Sequence, residues 1–160
     1  MAVTTQQSAQ LALIGGEPSR PNPVHDWAGR LRLALFDFTQ AGAGDAGSLA
    51  ELVKLPAGHV RLILPLSRIG FSAMGASRTM HVGWAAHAGH DGTPVAADPD
   101  GLDAAVDVAS AGSVNPSGTV GGGETVLFEA QEGLVLTAQV NGGTIPNGAT
   151  LKGYFVYVVD

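Results

Sequence analysis

The chain has 160 residues, no cysteine and a formal net charge of −6; that length suits one domain burying roughly 70% of its unfolded surface, and the missing thiols exclude disulfides, cysteine nucleophiles and thiolate metal sites. Charged residues make up 14% of the chain against 45% hydrophobic, with 23 glycines, which disfavours disorder and long solvated helices and favours a turn-rich all-β body. The eight Lys and Arg residues are scattered, which argues against neutralising a phosphate backbone and so against direct nucleic-acid binding.

Residues 1–29 read as an extended N-terminal arm. Gly15, Gly16, Pro18, Pro21 and Pro23 interrupt any regular element, and the only apolar run, Leu11-Ala12-Leu13-Ile14, is too short for a signal core or a membrane span of about 20 residues. Synthesis in a cytoplasm, without membrane partners, is the expectation. Leu11, Leu13, Ile14 and Trp27 are apolar enough to seek burial on a neighbouring surface, which makes them candidate interface residues.

Residues 30–160 read as one β-sandwich domain. Leu31, Leu33 and Leu35 alternate with Arg30, Arg32 and Ala34 as a half-buried strand requires; Phe36 and Phe38 switch parity, implying a bulge or a second buried face. Ser48 to Lys54 fits a strand better than a short helix, because Leu55-Pro56-Ala57-Gly58 follows as a tight turn. His59 to Leu66 places Val60, Leu62, Leu64 and Leu66 on one face, and Pro65 marks an edge or a corner where the strand changes sheets. Short strands follow around Ile69 to Ala73 and from Arg78 to about His87, with Met80, Val82 and Trp84 on the buried side. Residues 89–123 are looser, with a short strand around Leu102 to Val108. Val126, Phe128 and Ala130 oppose Leu134, Leu136, Ala138 and Val140 across Gln131-Glu132-Gly133, the spacing of a hairpin. The stretch from Gly133 to Asp160 reads as a closing strand pair, and its last member, Thr150 to Val159, is apolar on both faces. Such a strand is central or turns one face, here Tyr154, Val156 and Val158, to another subunit. Eight or nine short strands with turns between them predict an antiparallel sandwich of jelly-roll type.

Three groups of residues invite chemistry, and each has a plainer reading. His81, His87 and His90 with Asp91 suggest a metal, but His81 and His87 on one extended strand stand about 20 Å apart at 3.3 Å per residue, and no His-x-His occurs. Asp91, Asp98, Asp100, Asp103 and Asp107 suggest calcium, yet lack the spacing and terminal glutamate of an EF-hand loop. Ser67, Ser72, Ser77 and Ser110 lie in no Gly-x-Ser-x-Gly elbow, and Gly121-Gly122-Gly123 lacks the lysine of a phosphate loop. The expectation is a protein without enzymatic activity, cofactor or metal.

The segments Leu55-Pro56-Ala57-Gly58-His59-Val60-Arg61-Leu62, Ser67-Arg68-Ile69, Arg78-Thr79-Met80-His81-Val82-Gly83-Trp84 and Gly143-Thr144-Ile145-Pro146-Asn147-Gly148-Ala149-Thr150-Leu151-Lys152-Gly153-Tyr154 resemble the small virion structural proteins of tailed bacteriophages, most of all head decoration, or cement, proteins. The resemblance spans residues 30–160. It implies a β-sandwich subunit on the capsid exterior that clamps neighbouring capsomers, with a major capsid protein and copies of itself, often as a homotrimer, as partners. Few charges, apolar surface and an arm able to order on contact suit that role. A tail- or fibre-associated module and a carbohydrate-binding sandwich are the alternatives; the second would display exposed aromatics.

Overall fold

In the computed structural model, residues 30–116 and 125–159 are described. The arm therefore lies outside the described residues, with Leu11, Leu13, Ile14 and Trp27. The strands are β1 (Arg32–Thr39), β2 (Leu49–Leu55), β3 (Gly58–Ile63), β4 (Arg68–Phe71), β5 (Thr79–Trp84), β6 (His87–Ala88), β7 (Pro94–Val95), β8 (Asp98–Asp107), β9 (Gly112–Val114), β10 (Thr125–Ala130), β11 (Leu134–Asn141) and β12 (Thr150–Val159).

Two antiparallel sheets face each other. In one, β12 is central: β1 pairs along one side of it, β3 and β4 lie end to end along the other, and β10 and β9 pair with them in turn. The second sheet runs β2-β11-β5-β8, and β6 and β7 form a small separate ribbon. With β3 and β4 taken as one broken strand, and β9 and β10 as another, chain positions fall in the order first, eighth, third, sixth in one sheet and second, seventh, fourth, fifth in the other. That order is two interlocked Greek keys: the jelly roll.

The proline in His59 to Leu66 breaks that strand without sending it to the other sheet, because both halves pair with β12. Leu64–Leu66 form a 3₁₀ turn with Pro65 inside it; Leu64 is buried in the core and Leu66 half exposed. Proline has no N–H for a ladder, so the strand pauses at Ile63 and resumes at Arg68. Opposite the pause, β12 loses ladder partners, and Ser67 replaces one. Its hydroxyl, fully buried, accepts from the Val156 N–H at 2.9 Å and donates to the Ile63 carbonyl at 2.9 Å. A buried N–H thereby keeps its partner.

The expected hairpin over 126–140 is instead a corner. β10 pairs with β3 in one sheet, and β11 pairs with β2 and β5 in the other. Gly58 stands opposite Ala130 in the first sheet and Leu55 opposite Leu134 in the second, so two ribbons bend from sheet to sheet side by side. A three-residue link with Gly133 at φ 91° serves a corner as well as a hairpin, and its Cα packs so close to β2 that a Cβ would stand 2.4 Å from the Leu55 carbonyl oxygen. The closing pair is corrected likewise: β11 and β12 are strands, but in opposite sheets. Within 89–123, β8 is longer than the short strand expected there, because register shifts against β5 and a positive φ at Ala105 interrupt its alternation.

The core lies between the sheets, where Phe36, Leu55, Leu62, Ile69, Met80, Leu102, Leu136 and Phe155 are buried and the Phe36 and Phe155 rings stand 5.5 Å apart. At Gly153, opposite Phe36, a Cβ would meet the Arg68 carbonyl oxygen at 2.0 Å, so β4 reaches β12 closely only because that residue is glycine.

Candidate interaction surfaces

β1 carries apolar residues on both parities, and one set must face away from the core. Phe36 is buried, and Ala34 and Phe38 pack against the core. Leu31, Leu33 and Leu35, expected on the buried side, are exposed at 61%, 62% and 74%. Aromatic bulk decides the parity: a phenylalanine ring fills the space between two sheets that Leu35 would leave partly empty.

The exposed row does not stand alone. Leu33 pairs with Val156 and Leu35 with Tyr154 in the β1–β12 register, so these residues share the outer face. Tyr154 is part exposed there, whereas Val156 and Val158 keep only 6% and 4% of their surface. Of the three candidate residues on the last strand, Tyr154 therefore offers accessible surface and the two valines are already covered within the chain. Beyond Leu35 the row ends at Asp37, whose carboxylate meets the Lys152 ammonium at 3.0 Å with both side chains well exposed. Such a pair adds little stability, but it closes the apolar strip with charge. β1 also has a second, unpaired side, since β12 is its only sheet partner among the described residues. The leucine row was legible only through Phe36 and Phe38, whose parity switch identifies the true inward face.

A second surface is a cleft of about 460 Å³ where β10 ends its sheet, lined among others by Trp84, His87, His90, Asp91, Phe128 and Glu129. Phe128 sits edge-on to Trp84 at 5.1 Å and to His87 at 6.4 Å. His59 and His90 meet edge-to-face at 5.3 Å, and His59 Nδ1 lies 3.7 Å from Glu129 Oε1. Asp91 accepts the Thr93 N–H at 2.9 Å and its hydroxyl at 2.8 Å. Those bonds, the backbone one first, favour the ionised carboxylate and hold its pKa below the usual 3.8. An aromatic floor with a polar rim suits a ring-shaped or side-chain ligand.

His87, His90 and Asp91 thus line one cleft, while His81 stands apart on β5, 3.9 Å from Asp100. Among the described residues no three His, Asp or Glu side chains gather closely enough to hold a metal. The acidic segment is occupied locally: Asp98 accepts the Asp100 N–H and Asp107 the Ala109 N–H. Ser72, like Ser67, serves the backbone, accepting the Thr150 N–H at 2.9 Å. No described helix is long and apolar enough to cross a membrane.

No protein-family model matches the sequence, and no curated protein matches it. Solved structures do. A chain in the capsid of Ralstonia phage GP4 is 23% identical, with 88% of this chain and 92% of that one aligned at a TM-score of 0.61. This chain shares its fold. A chain in the capsid asymmetric unit of cyanophage Pam1 is 12% identical, with 91% and 97% aligned at a TM-score of 0.56. The jelly roll described above is therefore similar, over nearly whole chains, to jelly rolls found in phage capsids.

Proposed function

We propose that this protein is a non-enzymatic structural component of a virion that decorates the outer capsid shell, binding across capsomers alongside a major capsid protein and other copies of itself, with a trimer as the expected assembly. The supporting observation is the leucine row. This jelly roll, of about the length of the capsid chains it resembles, leaves Leu33 and Leu35 of an edge strand, and Leu31 just before it, exposed and apolar. Monomeric proteins charge or cover such an edge; an assembling subunit buries it. Fully burying a leucine contributes about 1.5–3 kcal/mol, so three that are roughly two-thirds exposed hold a few kcal/mol for association. That is modest for one contact, and sufficient when many copies engage a repeating shell.

The protein would be made in the host cytoplasm and retained on the capsid exterior. Mixing the purified chain with empty capsids and sedimenting them tests the reading: the chain is expected to pellet at saturating stoichiometry, and a chain left in the supernatant at every concentration rejects it. The cleft at Trp84 and Phe128 favours a second reading, a carbohydrate-binding module carried on the virion, tail or fibre. A glycan array giving specific signals that His90→Ala, at an exposed lining position, weakens without lowering Tm would favour it.

A further inference from the structure

The row of Leu31, Leu33 and Leu35 lies along a strand edge that is unpaired among the described residues, and the residues that precede it in the chain carry a matching pattern. We propose that the free side of β1 receives the Leu11–Ile14 segment of a neighbouring copy as an added β-strand, with Leu11 and Leu13 laid beside the leucine row. The presence of a neighbouring copy rests on the assembly reading above; the choice of occupant rests on the following.

An added strand must supply backbone groups for the open edge and alternate side chains for its outer face. In residues 1–29 one run does both: Leu11 and Leu13 share one parity, and Ala12 and Ile14 the other. The second set would lie at the rim beside Ala34 and Phe36, so both parities find apolar company. The alternative of β1 pairing with its own copy is less favourable. An antiparallel pairing centred on Leu33 aligns the leucines, but brings Arg32 of each copy diagonally against the other, within the reach of like charges.

The spacer bears on which copy supplies the strand. Residues 15–30 extend to at most about 53–58 Å, about twice the length of β1 at 3.3 Å per residue. Pro18, Pro21 and Pro23 have no N–H to offer a ladder. Returning Leu11–Ile14 to β1 of its own copy would require the chain to reverse within residues 15–30. Delivery to the next copy needs no reversal. Head-to-tail exchange of this kind closes into a ring when the rotation allows.

The absence of cysteine gives a clean test on the full-length protein without capsids. Leu13→Cys is combined in turn with Leu31→Cys, Leu33→Cys and Leu35→Cys, and with Leu49→Cys, which is exposed on another strand, as control. Isotope-labelled and unlabelled protein are mixed, dissociated in denaturant, reassembled together, oxidised and digested. Because disulfide closure needs Cβ atoms within about 4.5 Å, the row position in register should cross-link at least about fivefold more than the control. The linked peptides should pair labelled with unlabelled chains. Links confined to one isotope would place the strand on its own copy and overturn the exchange; yields equal to the control in all three variants would overturn strand addition altogether. Leu33→Glu supplies a second reading, since an exposed site leaves folding intact: the oligomer should dissociate at concentrations where the wild type stays assembled, and an unchanged mass contradicts the proposal. Capsid sedimentation of the wild type is scored separately, so loss of the decoration reading and loss of strand exchange give different results.

Discussion

Replacing Ser67 with alanine removes the hydroxyl that bridges the gap in the broken third strand. The Val156 N–H is then buried without an acceptor, which costs about 1–3 kcal/mol, and the Ile63 carbonyl loses a bond that contributes about 1 kcal/mol. Ser67 is fully buried, so water does not replace the hydroxyl without opening the sheet. The expected loss is about 2–4 kcal/mol; for a chain of this size that lowers Tm by roughly 4–16 °C. Urea melts should show a lower midpoint with an unchanged slope, and the Val156 amide should exchange hydrogen faster while the β11 amides do not. Ser72→Ala, which removes a similar bond to the Thr150 N–H in a part-buried place, should cost less. A Ser67→Ala protein within about 0.5 kcal/mol of wild type would refute the reasoning, because exposed substitutions alone give changes that small.

Leu33→Glu should change Tm by no more than about 1–2 °C, because the side chain is mostly exposed, while reducing self-association or capsid binding at least tenfold; a large thermal loss would mean the row is buried in the isolated subunit. Gly153→Ala drives a methyl into the Arg68 carbonyl and should cost about 2 kcal/mol or more, measured by urea melts; a neutral substitution would mean β4 and β12 stand farther apart than described. Asp91 should titrate below 3.8 by carbon NMR, and Thr93→Ala should move its midpoint back toward that value. Because its folded pKa is depressed, the turn's contribution to stability is full above 3.8 and is lost as pH falls through the lowered value; a midpoint at or above 3.8 would mean that the Thr93 bonds are not made.

The jelly roll was legible because its causes are local: short alternating runs, glycine and proline turns, and one last strand apolar on both faces, which proves to be the centre of its sheet. Pairing was less legible. Gln131-Glu132-Gly133 looks the same whether the chain returns in its own sheet or steps into the other, and only the long-range partners Gly58 and Leu55 distinguish the cases. Pro65 reads as an edge or a sheet-changing corner; instead the strand breaks there, and β12 spans the gap and holds both halves in one sheet. The leucine row was misplaced because periodicity fixes which residues share a face without saying which face is buried; the volume of Phe36 settles that. Tyr154 belongs to the same outer strip, whereas the side chains that lie close together at the cleft come from β5, β6, β7 and β10 and share no sequence signature.

In the proposed assembly this chain serves by contact with a repeating shell through its edge strand. Electron microscopy of capsids saturated with the protein tests that most directly. The expected result is density for a jelly roll on the outer surface at every equivalent position, with β1 and Tyr154 turned toward a neighbouring chain. Capsids that remain bare at saturating protein, or density in which the leucine row faces open solvent, would contradict it.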